Sequence, residues 1–431
     1  MRVVQLTPGT GSFYCGTCLR DNALVTELRR QGHDAILVPM YLPLTLDEVP
    51  ASKGEAVFYG GVNVYLQQVL PFFRKTPRWL DRLFDAPGIL KAAGARAGMT
   101  SPNDLGDLTL SMLRGEDGNQ TKELDRLTAW LADEGHPDVV CLSNALLIGL
   151  ARRIKKATGA AVVCTLQGED TFLDSLPERD RKAAWSTLAE RAKDVDAFVA
   201  VSRYYGDLMQ QRVGLSPERI HVVHNGILLD GYLPAPAPPD PPVLGYLARM
   251  CPPKRLHTLV DAYLLIRERG RLPNLKLKVA GALTPADDEY VTGLREKLTA
   301  AGLMRDAEFL PNIDRGEKIA FLRGLSALSV PATYGESFGL YIIEALAAGV
   351  PVVQPRHGAF PELIQATGGG VLCETDDPLA LGIAIEELLA DPAAARTIGE
   401  RGRQAVLENF SVEQMTRNVV NVFESAVSQR V

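Results

Sequence analysis

The stretch YGESFGLYIIEALAAGVPVV, residues 334–353, sets Glu336 before a glycine-broken turn and Glu344 eight positions later inside an apolar helical run. Packing calls for neither carboxylate. Leu340, Ile343, Ala347 and Ala348 already supply an apolar helix face, and a glutamate is rarely buried without a partner. A helix that opens at Phe338, Gly339 and Leu340 leaves the N–H groups of its first turn unpaired at the positive end of its dipole, where a phosphate fits. Upstream, LARMCPPKRL puts Arg249 at the end of a strand-like run and Lys254 five residues on. Two cations at one strand mouth suggest an anion. The combination reads as a cradle for a phosphate or diphosphate flanked by hydroxyl-bearing groups. Glu344 would take a ribose and Glu336 a sugar, which is the outline of a nucleotide sugar. The plainer alternative is a solvated helix end with ordinary surface cations.

The elements that must position these residues follow from periodicity. Short apolar runs alternate with longer helical patterns along the whole chain, the mark of parallel strands joined by crossover helices. The strand-like runs are VVQL, DAILVPM, VVCLS, AAVVCTL, AFVAVS and IHVVH in the first half, then VLGYLAR, LKLKVAG, AEFLP, ALSVPA, PVVQP and GGVLCE in the second. The fold class is α/β, with two doubly wound parallel-sheet domains facing across a cleft. At 431 residues the chain exceeds one ordinary core, which agrees with two domains. Expected boundaries are residues 1–232 for the first domain, 233–242 for a proline-rich hinge, 243–410 for the second domain, and 411–431 for a last helix packing back on the first. Residues 44–135 are long for one crossover and form an insertion; its run FFRKTPRWLDRLF (72–84) packs over the acceptor mouth or touches a membrane surface.

Composition narrows the function classes. The chain is 46% hydrophobic and 23% charged with a formal net charge of −6, so nothing pulls it to nucleic acid. The start MRVVQLTPGTG lacks a basic region followed by an apolar core, and no run of about 18 apolar residues occurs, so a cytoplasmic protein is expected. Cys141, Cys164 and Cys373 lie in strand-like runs and read as core residues. Cys15 and Cys18 form a CxxC that opens a helix, a redox or half-zinc pattern without the further ligands that a zinc site needs. Asp194 and Asp196 resemble a metal-binding DxD but precede a strand, on the side away from the ligand crevice. Of six histidines, His357 and His224 are the ones near proposed site residues.

Taken as a set, YGESFGLYIIEALAAGVPVV with HGAFPELI, LARMCPPKRL, VVHNGI and QGHDAILV resembles the retaining glycosyltransferases of family 4, whose two Rossmann-like domains form the GT-B architecture. The resemblance covers most of residues 1–40 and 138–427. It implies that Arg249 and Lys254 bind the donor diphosphate, Glu344 the ribose and Glu336 the transferred sugar, with Phe338, Gly339 and Leu340 at the phosphate. It further implies that FLPNI, with Asn312 and Ile313, lines the base pocket, that Gly16 is the surviving member of a glycine pair at the first helix, and that no metal or other cofactor is required. The implied partners are a nucleotide sugar and a carbohydrate or small-molecule acceptor. Where the family commonly has a histidine after the strand AAVVCTL, this chain has Gln167, with Glu169 and Asp170 beyond. The insertion FYGGVNVYLQQVLPFF is similar to a segment of starch and glycogen synthases. Strand-end position alone puts Arg20, Asp21, Ser143, Asn144, Gln167, Glu169 and Asp170 on the acceptor side. The expected activity is hexosyl transfer with retention; a nucleotide-sugar epimerase or hydrolase, or a non-catalytic nucleotide-sugar binder, would share the donor contacts.

Overall fold

The computed structural model describes residues 1–9, 16–42, 44, 46, 49–51, 64, 67, 68 and 102–430, the side chains of 102–105 excepted. Cys15, most of the insertion and the run 72–84 with its membrane reading lie outside the described residues. The described chain divides into two compact units, one of Met1–His224 with Val412–Val431 and one of Asn225–Ser411.

Each unit is built on a parallel sheet, and every strand-like run of the sequence forms one strand. The first sheet contains β1 (Arg2–Thr7), β2 (Asp34–Pro39), β3 (Val139–Leu142), β4 (Ala161–Leu166), β5 (Ala197–Ala200) and β6 (Ile220–Val222), in the order β2-β1-β3-β4-β5-β6. The second contains β7 (Val243–Leu247), β8 (Lys276–Gly281), β9 (Ala307–Pro311), β10 (Ala327–Leu328), β11 (Val352–Pro355) and β12 (Gly370–Cys373), in the order β12-β11-β10-β7-β8-β9. Helices cover both faces of such sheets, so central strands are apolar throughout: every residue of β3, β4, β5 and β7 is buried. The outer strands β6 and β9 have no fully buried residue.

The helices that carry the site are α1 (Gly16–Arg30), α2 (Glu169–Ser175), α3 (Leu256–Arg269), α4 (Arg315–Arg323), α5 (Leu340–Ala347) and α6 (Val412–Ser428). Strand order reverses between β1 and β3 in the first sheet and between β7 and β10 in the second. Beyond the carboxyl ends of the strands, such a reversal leaves a crevice where ligands bind.

Two boundaries differ from expectation. The change of unit falls between His224 and Asn225, ahead of the proline-rich segment, because that segment is tied to the second unit: Arg403 donates to Tyr232 O at 2.8 Å and Arg396 to Pro236 O at 3.0 Å. Strand β10 is two residues long where ALSVPA suggested six; Pro331 has no N–H to continue a ladder. Helix α6 belongs to the first unit, with Val419 and Phe423 fully buried, Glu413 paired with Arg30 at 3.5 Å and Arg430 with Asp196 at 3.4 Å. Asp196 also takes Val162 N–H at 2.8 Å and Lys155 at 2.7 Å, so it pins the start of β4.

Candidate functional site

In the second unit the turn before α5 is set by two glycines. Gly339, at φ +92°, is the residue before the helix, a conformation that a side chain rarely adopts. Gly358, at φ +57°, lets the loop after β11 lie against Glu336, whose N and O a Cβ would meet at 2.9 and 2.8 Å. Ala359 N–H closes the contact on Glu336 O at 2.9 Å. His357 lies on this loop, and its backbone carbonyl takes Phe360 N–H at 3.2 Å. The apolar run LYIIEALA then buries Ile342, Ile343, Ala345, Leu346 and Ala347, which fixes α5 on the sheet with its N-terminus at the strand mouth. The Phe338 ring is part of that packing, 6.3 Å from Phe410, so only the backbone of Phe338 serves the turn. Gly339 and Leu340 supply the backbone at the helix start.

Across the strand reversal Lys254, from the loop after β7, meets Glu336, from the loop after β10. Lys254 Nζ lies 2.5 Å from Glu336 Oε2, and the same oxygen accepts the hydroxyls of Tyr334 at 2.9 Å and Tyr341 at 3.0 Å. Burial pushes the Glu336 carboxyl up, but the Lys254 charge and these three hydrogen bonds outweigh it and hold the group below the usual glutamate value. The two phenols respond oppositely: burial and the adjacent carboxylate push both well above the tyrosine range, so they remain donors. Arg249, on the same loop as Lys254, is paired through Nε and Nη2 with Asp287 at 3.0 and 2.9 Å. Each of the two cations is paired with a carboxylate, Lys254 with Glu336 and Arg249 with Asp287.

Glu344 is fastened on the next turn of α5. It accepts from Lys318 Nζ at 2.8 Å and from Tyr232 Oη at 3.1 Å. Lys318 arrives there because α4 starts at a fixed point: Asp314 caps Glu317 N–H at 2.8 Å while the Glu317 side chain takes Asp314 N–H at 2.9 Å. At the mouth of β9, Asn312 sits at φ +57° and its side-chain amide pairs with both backbone groups of Leu283, at 3.0 and 3.2 Å. The amide therefore braces the loops after β8 and β9; Ile313, next to it, is half-buried.

In the first unit Gly16 opens α1, and the residues read as acceptor contacts come together at the β1–β3 reversal. Three of them are interior. Arg20, Asp21 and Ser143 are between 0 and 2% exposed. Arg20 bonds Asp21 at 3.0 Å and Thr165 at 3.4 Å, and Ser143 Oγ donates to Asp21. Burial pushes Asp21 above the usual aspartate value despite the Arg20 charge and these hydrogen bonds. Instead of forming an open acceptor surface, the trio is a buried polar knot. Gln167 joins it by donating to Ser143 O at 2.8 Å. Asn144 accepts Leu146 N–H at 3.1 Å and starts the following turn. Glu169 is saturated: it accepts from the N–H groups of Ala145, Gln167 and Gly168 at 2.8, 3.0 and 3.0 Å and from Tyr205 Oη at 2.8 Å. Burial still raises its carboxyl. Asp170, at the start of α2, is also raised by burial, and one of its buried oxygens has no partner among the described residues.

Sequence reading did not single out Asp287, Lys318, Tyr232, Tyr334 or Tyr341. Tyr334 and Tyr341 lie in the stretch that raised the question, but i to i+7 across a turn carries no helical spacing rule. Cys18, Cys141, Cys164, Cys251 and Cys373 are buried. Among the described residues no helix is long and apolar enough to cross a membrane.

Two doubly wound parallel sheets define a GT-B glycosyltransferase fold. Comparison with known proteins gives the family. Residues 234–405 match the sequence profile described as Glycosyl transferases group 1, and residues 113–230 match Glycosyltransferase Family 4. The two matches together span most of the chain, which is a glycosyltransferase. It is 29% identical to D-inositol 3-phosphate glycosyltransferase of Salinispora tropica, over 92% of this chain and 89% of the relative. It is 26% identical to glycogen synthase of Mycobacterium tuberculosis, over 80% of this chain and 82% of that protein. Among solved structures, sucrose-phosphate synthase from Thermosynechococcus elongatus shares the fold with a TM-score of 0.72 at 18% identity, covering 99% of both chains. Anabaena HepE, solved with UDP and glucose, does so with a TM-score of 0.68 at 17% identity, covering 99% of this chain and 100% of that one.

Proposed function

We propose that the protein transfers a hexose from a nucleoside-diphosphate sugar to a hydroxyl of a carbohydrate or other small acceptor, with retention of anomeric configuration and without a metal ion. The observation that carries this reading is the meeting of Lys254 and Glu336 at the strand reversal of the second sheet, beside the start of α5 and on the same loop as Arg249. The names of the relatives support the substrate classes: an inositol-phosphate glycosyltransferase, a glycogen synthase, and a structure holding UDP and glucose.

The chemistry follows from charge. The bond from the anomeric carbon to the diphosphate oxygen breaks, the acceptor oxygen bonds to that carbon, and the acceptor proton passes to the departing phosphate. Negative charge grows on the leaving group as the sugar becomes cationic. Lys254 and Arg249 bind the diphosphate, and the start of α5 adds ~1–2 kcal/mol to the anion. Removing one such donor changes rate by ~10²-fold or more. Glu336 holds the sugar and Glu344 the ribose; Asn312 and Ile313 stand at the base.

The test is a panel of UDP-, GDP- and ADP-sugars with sugar and cyclitol acceptors, scored by nucleoside diphosphate release and by proton NMR of the new anomeric centre, with and without EDTA. Diphosphate release that depends on acceptor, an unchanged anomeric configuration and indifference to EDTA are expected. Failure of every donor to bind, or an inverted product, overturns the reading.

A further inference from the structure

We propose that Tyr341 and Tyr334 are positioning residues: their hydroxyls fasten Oε2 of Glu336 and leave Oε1 as the oxygen that receives a donor-sugar hydroxyl. This rests on the reading of Glu336 as the sugar contact. Three donors converge on the single oxygen Oε2, from Lys254 at 2.5 Å, Tyr334 at 2.9 Å and Tyr341 at 3.0 Å. Oε1 accepts nothing from any described residue, although a carboxylate offers about four lone-pair sites. The two tyrosines come from opposite sides of the turn, Tyr334 before it and Tyr341 from the first turn of α5, so together they fix the carboxylate against rotation. Both rings also flank Lys254, whose Nζ lies 4.9 and 5.5 Å from their centroids.

The need for two neutral donors follows from the work asked of Lys254. Its ammonium is shared between Glu336 and, in the proposed reaction, a diphosphate. When it turns to phosphate the carboxylate loses its strongest partner. The phenols do not leave with it, and their high pKa values keep them protonated. Among the described residues the carboxylate is bonded by Lys254 from the β7 loop and by the two tyrosines, and its charge also acts on Tyr246 of β7, while Cys251 on the β7 loop acts on Tyr246 and Tyr334. Loss of a hydroxyl removes a bond to the charged form, so the Glu336 pKa rises.

The experiment compares wild type with Tyr341→Phe, Tyr334→Phe and the double variant. Diphosphate release from UDP-glucose and GDP-mannose in the presence of sugar and cyclitol acceptors gives kcat and its acid limb, calorimetry gives UDP and GDP affinity, and infrared difference spectra against Glu336→Gln follow the carboxyl titration. The expected result is a ~10-fold loss of kcat for each hydroxyl, unchanged diphosphate affinity, an unchanged thermal midpoint, and an acid limb and carboxyl titration that both move to higher pH. Wild-type kcat and titration in the double variant overturn the proposal. So does diphosphate affinity that falls in step with kcat, since the hydroxyls would then serve the phosphate. A wild-type protein that binds neither diphosphate overturns the functional reading instead; the infrared titration needs no donor and still decides whether the hydroxyls hold Glu336.

Discussion

Each sheet places one cation and one carboxylate at its strand reversal, and the two pairs have opposite characters. Arg20 and Asp21 in the first unit are 1 and 0% exposed in their side chains, whereas Lys254 and Glu336 in the second are 21 and 11% exposed. Asp21 is held above the ordinary aspartate value and Glu336 below the ordinary glutamate value. Burial favours the neutral acid in both. What separates them is the partner set: Glu336 gathers a close ammonium and two phenols, while the Asp21 partner, Arg20, has two buried nitrogens that meet no acceptor among the described residues. A pair that water and ligand can reach can exchange partners; a pair sealed in the core pays its desolvation for structure alone.

The largest effect should come from the accessible pair and its neighbour. Arg249→Ala or Lys254→Ala is expected to lower donor turnover by ~10³-fold, from loss of charge stabilisation at the leaving group, with a wild-type circular dichroism spectrum. Near-normal rates would erase the functional half of the contrast. For the sealed pair the expected cost is in folding. Asp21→Asn should destabilise by ~3–5 kcal/mol in urea unfolding because it strands a buried guanidinium, whereas Arg20→Met with Asp21→Leu should recover most of that loss. If the double replacement is as damaging as the single one, the knot serves more than packing.

The pH dependence sharpens the same comparison through its sign. A depressed carboxyl contributes stability above its unfolded pKa and loses it as pH falls through the folded value; a raised one does the reverse. The stability advantage of wild type over Glu336→Gln should therefore be full above the ordinary value of 4.5 and fade below it. Its advantage over Asp21→Asn should instead diminish as pH rises above the ordinary value of 3.8 through the raised one. Urea midpoints from about pH 3 to about pH 7 test both slopes; parallel curves would remove the distinction. The smallest effect is expected at Asn312→Gly, which keeps the positive φ but loses the amide brace to Leu283. A cost of ~1 kcal/mol with a modest rise in donor KM is expected, and an unchanged KM would detach Asn312 from the base pocket.

How much was legible can be argued from these same residues. Lys254, Glu336, Gly339 and Glu344 stood out through local marks: a glycine at a helix start, an acid where packing wants none, cations just past a strand. The twelve strands were legible because a strand buried on both faces is a continuous apolar run. Asp21, Arg20 and Ser143 were singled out by strand-end position, and the structure puts the first two within α1 and the third just past β3, yet nothing in their spacing reveals whether a side chain turns outward or is sealed. Tyr334, Tyr341, Lys318, Tyr232 and Asp287 could not be assigned, since each acts on a residue far along the chain or across a turn with no fixed period.

The amino-acid order by itself determined the class of sheet, the strands of the described residues and a glycine-set turn at a helix start, because these depend on apolar periodicity and backbone geometry over a few residues. The tertiary structure alone decided which charges meet and which oxygen of Glu336 is fastened. It also decided which ion pair water can reach, because charge, burial and hydrogen bonding act through distances that only the folded chain establishes.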